Sequence, residues 1–172
     1  MLHLKSSKKL AYLLFLVISE LASAKHPHQK AHEHGHAKLE VIFDGTTIKT
    51  NLEVPASNII GFEHSTKSSE EKKTIEDAKE LLKKPSAIIS SPNCQQKSQL
   101  VKLLQEESSH SEFEIQIELE CSKVPNEIEV TLFKTLLTLK HTEKLNSLEY
   151  EYQGPKGQSA GSLSPKENRL KL

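Results

Sequence analysis

Between Phe113 and Cys121 the chain alternates without a fault: Phe113, Ile115, Ile117, Leu119 and Cys121 are separated by Glu114, Gln116, Glu118 and Glu120. Successive side chains of an extended chain leave on opposite faces, so this run carries one apolar face and one face of glutamate and glutamine alone. A helix would spread the same residues around its whole circumference. The segment therefore reads as a strand with one face packed on a core and the other in water, the habit of antiparallel sheets.

Other stretches obey the same period. Ala37, Leu39, Val41 and Phe43 alternate with Lys38, Glu40 and Ile42, and Asp44-Gly45 then marks a hairpin turn. Ile48, Leu52 and Val54, with Thr50 on their face, form the returning strand, which Pro55 stops. The stretch from Cys94 to Gln105 admits helix or strand, with strand favoured. Ile128, Val130 and Leu132 suggest a short strand running into a short helix near Lys134 to Leu139. Leu148, Tyr150 and Tyr152 lead into a Gly154-Pro155-Lys156-Gly157 turn, and Ser159 to Leu163 return. One segment changes period. Ser68 is placed to cap a helix that opens with Glu70 and Glu71, buries Ile75, Ala78, Leu81 and Leu82, and closes at Lys83-Lys84-Pro85. The expected class is α+β, a largely antiparallel sheet with one main amphipathic helix packed on it, in a single domain over 36–172.

Residues 1–24 read as an export signal. Lys5, Lys8 and Lys9 precede an uncharged apolar run from Leu10 to Ile18, and Ala22-Ser23-Ala24 supplies the small residues of a cleavage site before Lys25. Cleavage takes three Lys and Glu20 away and leaves a formal charge of −2, where the 172-residue chain has 23 basic and 23 acidic side chains. That balance, with no basic stripe, argues against an electrostatic nucleic-acid binder. Beyond the leader no apolar run reaches membrane-spanning length. In an exported, oxidising setting Cys94 and Cys121, the two cysteines of the chain, are expected to pair in a disulfide.

Nine histidines in 172 residues is the excess that bears on function, and five of them fall between His26 and His36. Residues 25–35 have few apolar groups to bury and read as a polar tail. Within it His32 and His34, with His36 at the start of the first strand, stand at i, i+2 and i+4, on one face of an extended chain about 6–7 Å apart. Neutral imidazole is a zinc ligand, and three or four such ligands make a tetrahedral shell. His64, just before the helix, and His110, at the head of the Glu-faced strand, sit at element ends, where scaffolds present ligands. A lone histidine at such a place is more often merely exposed, and the tail alone would be no more than a weakly metal-binding segment. His32-Glu33-His34-Gly35-His36 matches the letters of the H-E-x-x-H protease motif, but that motif works on a helix. Gly35 and the strand alternation that follows exclude one here. No nucleophile elbow or phosphate loop appears, and no enzyme is expected.

The motifs taken together resemble a family. His32-Glu33-His34-Gly35-His36-Ala37-Lys38-Leu39, then Pro55-Ala56-Ser57-Asn58-Ile59-Ile60-Gly61-Phe62-Glu63-His64, then His110-Ser111-Glu112-Phe113, and the closing Gly154-Pro155-Lys156-Gly157-Gln158-Ser159-Ala160 and Leu170-Lys171-Leu172 are similar, in order, to the ZrgA-like zinc-binding proteins. These are exported accessory proteins of bacterial zinc ABC importers. The resemblance implies a periplasmic protein that captures or buffers zinc and hands it to importer components. It implies ligands at His32, His34, His64 and His110, with Glu63 either fixing the His64 tautomer or replacing one histidine. His36, His26 and His28 are auxiliary on this reading. Two other readings stay open: an envelope interaction module whose His-rich tail is incidental, and a nickel or copper carrier, since imidazole does not select zinc.

Overall fold

The computed structural model describes residues 35–105, 110–140 and 142–172. The expected leader, the His-rich stretch through His34 (including His26, His28 and His32) and His141 lie outside the described residues. In chain order the elements are β1 (His36–Asp44), β2 (Thr47–Pro55), α1 (Ser57–Ile60), α2 (Ser69–Leu82), β3 (Ile89–Ser90) and β4 (Cys94–Gln105). There follow β5 (Ser111–Cys121), β6 (Glu127–Val130), α3 (Leu132–Leu136), β7 (Ser147–Gly154), β8 (Gly157–Leu163) and β9 (Arg169–Lys171).

The Glu-faced run is β5, an inner strand held between β4 and β2, both antiparallel to it. Phe113, Ile115, Ile117, Leu119 and Cys121 are buried, as the alternation requires. The Asp44-Gly45 turn joins β1 to β2, and Gly154 to Gly157 join β7 to β8. The ambiguous segment is strand β4, with a register shift between Gln96 and Ser98. Cys94 faces Cys121 across the β4–β5 register, and the two form a disulfide. Helix α2 carries the reciprocal cap its sequence announces: Ser68 Oγ accepts from Glu71 N at 3.1 Å, and Glu71 Oε2 accepts from Ser68 N at 3.0 Å.

The expected α+β class is wrong. Strands take 49% and helices 17%, so the chain is mostly β, with three short helices. The main sheet, ordered β4-β5-β2-β1-β7-β8, is mixed, because β1 and β7 run parallel. Alternation within a strand shows which face is buried and nothing about the direction of its neighbour. Nor does α2 cover the sheet. A 14-residue helix is about 21 Å long and 10–12 Å wide, whereas six strands span about 29 Å. The rest of the apolar layer comes from a second sheet, β3-β6-β9, and from α3. Ile89, Ile128, Val130 and Leu170 of that sheet, Leu132 and Phe133 of α3, and Ile75, Ala78 and Leu82 of α2 share one core with the inner face of the main sheet. Among the described residues no helix is long and apolar enough to cross a membrane.

Candidate metal centre

Strand register brings separate segments to one end of the main sheet. There β1 begins at His36, β2 ends at Pro55, β4 ends at Gln105 and β5 begins at Ser111. Where the chain leaves β2, Ala56 N donates to Ser111 O at 2.9 Å. One helical turn, α1, follows and is stopped by Gly61, whose φ of +83° is the left-handed conformation that ends helices. Phe62, Glu63 and His64 are thereby returned to the head of β5.

The turn is anchored by Asn58, which is fully buried. Its Oδ1 accepts from Gly35 N at 3.2 Å, and its Nδ2 lies 3.3 Å from both Glu143 O and Lys144 O. Gly35 O in turn accepts from Asn146 N at 2.8 Å and Ser147 N at 3.1 Å. Only glycine serves at position 35. Its φ is +86°, and a Cβ there would lie 2.8 Å from Asn146 Nδ2 and 3.1 Å from Lys144 O.

Glu63 joins this anchor to the histidines. Its side chain is 10% exposed. Oε1 accepts from Ser57 Oγ at 3.0 Å, Oε2 lies 3.0 Å from His110 Nδ1, and Ser111 Oγ donates to the Glu63 carbonyl at 2.6 Å. A carboxylate can only accept, so His110 Nδ1 carries the proton, and in the neutral ring Nε2 keeps its lone pair. The carboxylate–imidazole pair is the arrangement that orients histidines on metals. His64 stacks on Phe62, ring centres 4.9 Å apart, and its Nδ1 lies 3.0 Å from Ser65 O. That carbonyl also only accepts, and it leaves the neutral His64 ring with a free lone pair on Nε2 as well. His64 Nε2 lies 3.7 Å from Glu71 Oε1. The backbone N–H of Lys67, chiefly, and that of Ser68 hold the Glu71 carboxyl below the usual carboxylate range.

The structure thus brings Glu63 and His110 into contact and sets His64 in the adjoining residue with its ring turned toward Phe62 and Glu71. Glu63 bonds His110, whereas the His64 ring stacks on Phe62 with Nδ1 toward the Ser65 carbonyl. His36 heads β1, with Nδ1 2.6 Å from Ser147 Oγ. Among the described residues no three His, Cys, Asp or Glu side chains gather around one point. His32 and His34, expected ligands, lie outside the described residues, as do His26 and His28. Sequence reasoning missed Asn58, Ser57, Ser111 and Glu71. Asn58 left a signal, a polar residue set directly before Ile59 and Ile60 in a segment too short to be amphipathic.

A mostly-β domain thus brings the Glu63 carboxylate onto the His110 imidazole at one sheet end, a pair of the kind that orients metal-bound histidines. The model of the ZrgA family of zinc uptake proteins matches residues 31–172, and the chain belongs to that family. No curated protein matches the chain.

Proposed function

We propose that this member of a zinc uptake family is exported, captures or buffers zinc in the periplasm, and passes the ion to components of a zinc ABC importer without catalysing a reaction. The family supports the role in zinc uptake. The observation that supports histidine capture is the Glu63–His110 pair, with Asn58 of the same segment bonded to Gly35 N. One residue spans 3.8 Å between Cα atoms, so His34 is adjacent to Gly35 and His32 is within about 11 Å of it along the chain. His32, His34, His64 and His110 are the ligands on this reading. Glu63 orients His110 or takes one ligand place.

Competition calorimetry on the full chain tests it. His64→Ala and His110→Ala should each weaken zinc binding at least about 100-fold, since a four-ligand shell loses a bond it cannot replace. Each imidazole ligand must be deprotonated, so affinity should fall about tenfold per ligand for each pH unit below the ordinary imidazole range near 6.5. Zinc affinity unchanged in both variants, or unchanged between about pH 7.4 and pH 5.5, would overturn histidine capture. Cell fractionation and elemental analysis of tag-free protein test the compartment and the cargo.

A further inference from the structure

The outer face of the main sheet, opposite the core, carries its own pattern. Across the register, Lys102, Glu114, Glu53, Lys38 and Glu149 form one row, and Leu100, Gln116, Asn51, Glu40 and Glu151 the next. Lys102 pairs with Glu114, Lys97 with Glu120 and Lys49 with Asp44. Among the described residues Glu40, Glu53, Glu118, Glu149 and Glu151 form no ion pair, so the face is left with negative charge. It is also not purely polar. Ile42, Leu100 and Leu104, 47%, 45% and 38% exposed, are three of the four large apolar side chains exposed among the described residues. Two shallow grooves of about 430 and 480 Å³ share Glu40 and Ile42 as a common wall. On the wall of the first, Asn51 Oδ1 is buried and has no hydrogen-bond donor among the described residues.

We propose that this face docks a cationic segment of another protein, one whose lysine or arginine side chains alternate with aliphatic ones. Charge selects the occupant. A second copy of the same face, a nucleic acid or an anionic lipid surface would each add negative charge to unpaired carboxylates. A Lys/Arg segment supplies the counter-charge, and its aliphatic residues cover Ile42 and Leu100. Six strands over some seven residues present roughly 700 Å², close to the 800 Å² or so that each partner gives to a stable interface. Zinc does not enter this contact.

The test is a residue-resolved NMR titration of the full chain with two synthetic peptides of equal length, one alternating lysine and leucine, the other lysine and serine. The lysine–leucine peptide should move the amides of Glu40, Ile42 and Asn51 and bind about tenfold more tightly than the lysine–serine peptide. Ile42→Ser with Leu100→Ser should remove that advantage and leave zinc affinity unchanged. Glu40→Lys with Glu151→Lys should abolish binding. Equal affinity for the two peptides, shifts confined to other surfaces, or self-association that Ile42→Ser dissolves would each overturn the proposal.

Discussion

Glu63→Gln changes one heavy atom in a side chain that is 10% exposed and whose two oxygens meet Ser57 Oγ and His110 Nδ1. Size is kept and charge is lost. The amide must then choose between its neighbours. If its oxygen faces His110, Nδ1 still donates, and only the charge assistance disappears. If its NH2 faces His110, Nδ1 becomes the acceptor, the ring proton moves to Nε2, and the lone pair that would take a metal is gone. Losing the oriented carboxylate behind a metal-bound histidine costs about 10–100-fold in affinity, or about 1.4–2.7 kcal/mol. The second arrangement belongs at the upper end of that range, and a larger loss would make Glu63 itself a ligand. The metal-free chain should lose only about 1–2 kcal/mol of stability, since one hydrogen bond to each neighbour survives in neutral form. Competition calorimetry gives the zinc affinity, and imidazole nitrogen NMR reads the tautomer of His110. Zinc affinity within about twofold of the parent, with Nδ1 still protonated, would refute the role assigned to this pair.

Three further outcomes follow from the fold. Asn58→Leu keeps the volume but strips the partners from Gly35 N, Glu143 O and Lys144 O. At about 1 kcal/mol per lost bond, and 2–4 °C per kcal/mol, melting should fall by about 10 °C, and zinc binding should weaken as Gly35 is released. A drop of under about 3 °C would show that the anchor is not structural. Reducing Cys94–Cys121, or replacing both residues by Ala, opens a loop with a separation of 27 residues, which the loop-entropy model values at about 3–4 kcal/mol. The bridge sits at the end of β4 and β5 away from His110, so stability should fall while zinc affinity holds, and identical melting with and without reductant would contradict this. Glu71 has a depressed carboxyl pKa in the folded chain, so its charge stabilises above the unfolded carboxylate value near 4.3 and ceases to do so as pH falls through the lower folded value. Glu71→Gln should therefore melt below the parent at about pH 6, and the gap should close as pH falls through the folded value; a gap independent of pH would refute the charged cap.

What could be read in the sequence was local. The period of two in β5 and β1, the Asp44-Gly45 and Gly154-to-Gly157 turns, and the Ser68–Glu71 cap each depend on neighbours in the chain, and each stands in the structure. The parallel contact of β1 with β7 joins residues more than 100 positions apart, and nothing in either strand announces it. Strands β3 and β9 have two and three residues, too few to show a period, and β6, legible from Ile128 and Val130, carries no sign that it pairs with them. With the second sheet not assembled from the sequence, α2 was the main visible cover for the first, and an α+β class followed from it. The site divides in the same way. Residue types and motif order pointed to Glu63, His64 and His110, yet the partner of Glu63 depends on the β2–β5 register, which sets Ala56 against Ser111 and so lays the Glu63 carboxylate on the His110 ring. Pro55 ends the strand, Ala56 ties to the neighbouring one, Ser57 and Asn58 hold Glu63 and Gly35, and Gly61 turns the chain back. The segment thus sets up a contact between Glu63 and a histidine 47 positions away, and a change at Ser57, Asn58 or Gly61 should reach the imidazole through that chain of bonds.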